Sequence, residues 1–119
     1  MKLENDFYRI LKTEQDGPVY RIAAELIFPH EIYQGHFPDH PVVPGVCTLT
    51  MIREMVSRIR GDVTGFRKIK ECKFVSPLLP RSGLQVDFEL QLDEGEVLKC
   101  VVRSDGRTVL KLKSVIGNF

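Results

Sequence analysis

Paired cysteines, an excess of charge of either sign, and long apolar runs are all missing from this chain of 119 residues. Cys47, Cys72 and Cys100 are widely scattered and form no CxxC pair, which argues against a zinc ribbon or a redox-active dithiol. They read as reduced thiols filling small core positions rather than as nucleophiles. The 17 basic and 16 acidic residues leave a formal net charge of +1, so bulk charge gives no reason to expect nucleic acid or an anionic membrane as a partner. No apolar stretch approaches the roughly 20 residues that span a bilayer. Met1 to Asp6 carries acidic residues without an apolar core and does not read as a signal peptide, so the expected location is the cytoplasm. Internal repeats, low-complexity tracts and linkers are absent too. Length therefore points to one domain over residues 1–119, with the 43% hydrophobic and 28% charged content of an ordinary globular protein.

What is present is a clear order of elements. Phe7 to Lys12 alternates loosely as a first strand, and Gly17-Pro18 marks a turn. Val19 to Phe28 alternates better, with Tyr20, Ile22, Ala24, Leu26 and Phe28 on one face. Residues 29–46 hold four prolines, two glycines and three histidines, a composition that excludes a regular helix or central strand and predicts a long, shaped loop. From Val46 to Arg60 the apolar residues Val46, Leu49, Ile52, Met55, Val56 and Ile59 recur at helical spacing, and Gly61 stops the helix. Strands are expected over Gly65–Ser76, Leu84–Leu92, Val97–Arg103 and Thr108–Ile116, with turns at Asp93-Glu94-Gly95 and Ser104-Asp105-Gly106. Two strands, one helix and about four strands make an α+β layout, a single helix against an antiparallel sheet.

Within the proline-rich loop, Gly35-His36-Phe37-Pro38-Asp39-His40-Pro41-Val42-Val43-Pro44-Gly45-Val46 has the form GHFPxxPxxPGV. That segment resembles the active-site signature of the 3-hydroxyacyl-(acyl carrier protein) dehydratases of fatty-acid synthesis. Lys73-Phe74 through Pro77-Leu78-Leu79-Pro80 resembles the family's later KFxxPVxPGD element, with Arg81-Ser82 in place of Gly-Asp. The resemblance runs from about Val19 onward. It implies a hot-dog fold, a long central helix wrapped by an antiparallel sheet, and a homodimer or higher assembly of dimers with sites at the subunit contact. It also implies a substrate carried on the phosphopantetheine of acyl carrier protein or coenzyme A, with no separate cofactor or metal.

Eliminating water from a 3-hydroxyacyl thioester requires a base at C2, an acid at the leaving hydroxyl and a donor to the thioester oxygen. His36 matches the family's catalytic histidine, and an imidazole with an ordinary pKa near ~6.5 suits the base role; a structural histidine satisfying loop carbonyls is the bland alternative. Gly45 matches the residue whose N–H polarises the thioester. Independently of the family, a helix start offers free N–H groups, glycine admits close approach, and Pro44 pre-sets the turn. Phe37, Pro44 and Val46 complete the expected binding segment.

The family's acid lies fourteen positions after the histidine, and here that position is Thr50, a hydroxyl that holds a water or substrate but is no carboxylic acid. Glu54, one turn on, either supplies the missing carboxyl or pairs with Arg53, Arg58 or a partner chain. His30 and His40 read as loop or surface residues, and Cys47 and Thr48 as packing. The basic run Arg67, Lys68, Lys70 and Lys73 either docks an acidic acyl carrier protein or is a solvated strand face. Three functions follow from these residues: a dehydratase, weakened or not by Thr50; a non-catalytic hot-dog subunit partnering an active paralogue; or an acyl thioesterase with Thr50 or Glu54 orienting water.

Overall fold

The computed structural model describes residues 2–35, 39–94 and 96–118 and packs one helix against a six-stranded antiparallel sheet. The elements are β1 (Tyr8–Asp16), β2 (Val19–Leu26), a short 3-10 turn (Glu31–Gly35), α1 (Gly45–Arg60), β3 (Thr64–Phe74), β4 (Gln85–Asp93), β5 (Val97–Ser104) and β6 (Arg107–Asn118). Neighbours in the sheet run β1-β2-β4-β5-β6-β3. The helix-bearing loop thus carries the chain from β2, near one edge, to β3 at the other.

Alternation builds the inner face. Ile22, Ala24 and Leu26 of β2 stand beside Val86, Phe88 and Leu90 of β4, then Leu98, Cys100 and Val102 of β5 and Leu110, Leu112 and Ile116 of β6, all buried. Each large side chain removed from water stabilises the fold by roughly 1.5–3 kcal/mol. Cys47 and Cys100 are buried in this core and Cys72 is exposed. Burial pushes all three thiols above the ordinary range, which keeps them protonated near neutral pH.

The helix meets the sheet on a stripe rotated from the expected one. Cys47, Met51 and Met55 form one buried row and Thr48, Ile52 and Val56 the next. Val46 is 63% exposed, and Leu49 and Ile59 are only half-buried. The two adjacent i, i+4 rows centre the apolar arc, and Val46 lies off it. At the far end Gly61 takes φ 76°, and its N–H and that of Asp62 reach the Ser57 carbonyl at 2.9 and 3.2 Å. This is a left-handed glycine stop of the usual kind.

Two boundaries moved for identifiable reasons. β1 continues to Asp16 because its register against Val19–Leu26 of β2 supplies pairing that its exposed polar residues do not announce. A bulge between Ile10 and Lys12 turns Leu11 outward. The β5–β6 hairpin is tighter than expected: Asp105 (φ 53°) and Gly106 (φ 72°) make a two-residue turn of the type whose two central residues both have positive φ. Residues Leu3 and Phe7, ahead of β1, are fully buried.

Candidate functional site

The two signature segments, about thirty residues apart in sequence, meet in space. Pro44 caps α1 with no side-chain bond, accepting instead the N–H groups of Cys47 (2.9 Å) and Thr48 (3.3 Å). The N–H groups of Gly45 and Val46 find no acceptor among the described residues. They are the orphan donors of a helix start, at its positive dipole end. Just before them, the Val43 N–H donates to the Leu78 carbonyl at 2.9 Å, tying the first segment to the second.

The ring of Phe74, at the end of β3, lies over Gly45. A methyl group added at Gly45 would sit 2.8 Å from Phe74 Cζ and 3.0 Å from Cε1, inside contact distance. Glycine is therefore required for this approach between backbone and ring. Around it lies a hollow of about 400 Å³, walled by Val43, Gly45, Thr48, Phe74, Leu78 and Val109 among others. Its size and apolar lining suit a small acyl group. Among the described residues of that wall none is acidic.

Thr50 is 7% exposed, and its Oγ1 donates to the Val46 carbonyl at 2.7 Å. The hydroxyl proton is thus committed to the helix backbone, leaving lone pairs free to accept. Pro44, Gly45 and Val46 stand together at the helix start. His36 and Phe37 lie outside the described residues.

The reading of Glu54 needs correction. Its carboxylate neither faces the hollow nor pairs with Arg58. It accepts the N–H groups of Leu3 (2.7 Å) and Glu4 (2.9 Å) and the hydroxyl of Tyr8 (3.0 Å). Nine residues separate it from Gly45, which at 1.5 Å and 100° per residue puts it roughly 13 Å along the axis and on the opposite side of the helix. Arg58 bonds Glu4 instead. Burial first, and the Glu54 charge second, push the Tyr8 phenol far above its ordinary range, so it stays a donor. No sequence pattern announces this cradle, because Leu3 and Tyr8 are some fifty residues from Glu54.

His30 lies in the loop, as expected, with its side chain largely covered. Its Nδ1 accepts the Ile32 N–H (3.1 Å), so Nε2 carries the proton and donates to Asp6 at 3.0 Å, while its ring meets the edge of Phe7. His40 is exposed. The basic run does not form one row: Lys68 and Lys73 pair across from Val115 and Lys111, Arg67 bonds the Asn118 carbonyl, and Lys70 falls in a bulge. Beneath the helix start, the Tyr33 hydroxyl is buried with no partner among the described residues.

Comparison with known proteins places the fold among known families. Residues 12–112 match the family model described as ApeI-like, ApeI dehydratase. A 3-hydroxyacyl-(acyl-carrier-protein) dehydratase FabZ from Magnetococcus marinus is 32% identical over 98 residues, covering 75% of this chain and 63% of that one. The enzyme of the same name from Fusobacterium nucleatum is 26% identical over 105 residues, 84% of this chain and 72% of that one. The chain thus spans under two thirds of the first relative's length. Among solved structures, the dehydratase heterocomplex ApeI:P from Xenorhabdus doucetiae superposes with a TM-score of 0.77 at 24% identity, covering 90% of this chain and 95% of that one. The likeness in fold is to hot-dog proteins, as the sequence resemblance implied.

Proposed function

The chain belongs to the ApeI-like dehydratase family, and from that premise we propose that it binds a (3R)-3-hydroxyacyl thioester of acyl carrier protein or coenzyme A and eliminates water from it. The pathway class is fatty-acid or related lipid or polyene biosynthesis. The observation that carries this reading is the N–H of Gly45, without an acceptor among the described residues, beside an apolar hollow. A thioester oxygen set there gains a hydrogen bond that strengthens as C2 loses its proton and negative charge develops. His36 takes the C2 proton, and the same proton balances the hydroxide that leaves C3 as water. One imidazole that abstracts and then returns a proton satisfies this stoichiometry without a second acid. Thr50, its proton held by Val46, accepts a hydrogen bond from the substrate hydroxyl and orients it.

A second reading is favoured by the absence of an acidic residue from the described wall of the hollow. In it the chain is one subunit of a heterodimer of hot-dog chains, and an active paralogue completes the chemistry. The heterocomplex named for the Xenorhabdus structure supports the idea by analogy. Steady-state dehydration of a 3-hydroxyacyl carrier-protein substrate separates the two. Turnover by the pure chain, abolished in His36→Ala, supports the first; turnover only after mixing with the paralogue supports the second. Thiol release without dehydration would replace both with a thioesterase.

A further inference from the structure

We propose that Arg107 and Arg81 bind the phosphate of the pantetheine arm in a second hollow beside the one at Gly45. This rests on the thioester reading above and adds to it a charged anchor for the substrate's carrier.

A second hollow of about 250 Å³ adjoins the first, and the two share Ser76, Pro77, Leu78 and Val109 as a common wall. The inner one touches Gly45, and the outer one reaches Arg81, Asp105 and Arg107. Strand register gives the scale. Phe74, whose ring covers Gly45, pairs with Leu110 of β6. Arg107 lies three residues earlier on that strand, roughly 10 Å away at ~3.3 Å per residue. An extended pantetheine arm, with its two amides between thiol and phosphate, spans that interval, and the arginine side chain adds reach.

The outer end has the charge to receive a phosphate. Arg81 donates two parallel bonds to Asp105, at 2.9 and 3.1 Å. The turn Asp105-Gly106 holds that carboxylate at the Arg81 guanidinium, near enough to Arg107 to feel its charge as well. Two guanidinium groups around one carboxylate leave one positive charge over. Arg107 makes no hydrogen bond or close ion pair among the described residues. Its planar fork suits two phosphate oxygens at once. Arg81 is also where this chain departs from the second signature element, which has glycine there.

The test is calorimetric binding of two stable thioether analogues with the same acyl group, one on 4′-phosphopantetheine and one on pantetheine. Wild type is expected to prefer the phosphorylated arm by about fivefold, the effect of one exposed ion pair of about 1 kcal/mol. Arg107→Ala removes the preference without changing affinity for pantetheine. Asp105→Asn, by lifting the competing carboxylate, increases it, a gain that misfolding cannot mimic. Equal affinities in wild type, or a preference that survives both Arg107→Ala and Arg81→Ala, would overturn the phosphate site while leaving the thioester reading intact. Failure of wild type to bind either analogue overturns the thioester reading itself. Coenzyme A and carrier-protein forms bear the same phosphate, so Arg107→Ala lowers affinity for both; a loss confined to the carrier-protein form would assign these arginines to the carrier's own surface instead.

Discussion

The two ends of α1 treat their polar groups in opposite ways. Toward the C-terminus polar groups are paired: Glu54 takes three donors from the N-terminal segment, and the Gly61 and Asp62 N–H groups close the last turn on the Ser57 carbonyl. At the N-terminus the Gly45 and Val46 amides find no acceptor among the described residues, and Gly45 borders an apolar hollow. A fold that spends its hydrogen bonds so fully at one end of a helix and withholds them at the other has built an anchor and a receptor on the same element. Buried or crowded donors left unpaired cost stability, and a ligand that meets them recovers it.

The largest effect expected from breaking this contrast is at the anchor. Glu54→Ala leaves two backbone N–H groups and the Tyr8 hydroxyl without their charged acceptor and should lower unfolding free energy by about 3 kcal/mol in urea titration. Acyl-thioester affinity should change little, and a large loss of binding in folded protein would mean the ends are coupled. Thr50→Glu sharpens the receptor end. It restores a carboxyl at the family's acid position and should raise dehydration by about 100-fold, a typical contribution from a positioned acid. An unchanged rate would mean that His36 alone already returns the proton to the leaving hydroxide fast enough for a carboxyl at position 50 to add nothing.

Gly45→Ala should reduce thioester affinity by about tenfold, because the new methyl pushes the Phe74 ring off Gly45 and into the hollow that the ring helps to wall. The double variant with Phe74→Ala should recover part of the loss, and no recovery would show that the ring is not the obstacle. The smallest effect concerns Tyr33, beneath the receptor end. Burial raises its phenol above the ordinary value of 10.0. The unfolded chain therefore ionises first, and stability is lost as pH climbs above about 10, where the folded state holds the proton and the unfolded state does not. Tyr33→Phe removes a buried hydroxyl with no partner among the described residues, so it should leave stability at neutral pH equal or higher by up to about 1 kcal/mol and flatten this alkaline decline.

Much of this was legible before any coordinates. Period-two alternation marked β2 and β4, because one face of each meets the core and the other meets water, and the turns at Asp93-Glu94-Gly95 and Ser104-Asp105-Gly106 marked off β5 and β6. The helix and its glycine stop were readable from spacing and from Gly61. The bare amide at Gly45 follows from Pro44-Gly45 preceding a helix, a local matter of φ angles and missing acceptors. Thr50 was visible as a residue with the wrong chemistry for an acid. The outer half of β1 was not legible, since all its residues from Lys12 to Asp16 are exposed and only pairing with β2 makes them a strand. Nor was the helix's rotation, which the sheet's shape sets by placing Met51 in the core and turning Val46 out.

Chain order alone thus determined the α+β plan, the helix limits to within a residue and the chemistry on offer at its start, all of which depend on neighbours a few positions apart. Tertiary structure decided which of those groups meet. It bound Glu54 to Leu3 and Tyr8, laid Phe74 over Gly45, and set a hollow at Gly45 and another at Arg107 against four shared wall residues. Each of these joins residues separated by long stretches of chain, and no local propensity encodes such a contact; it exists only once the sheet has closed on the helix.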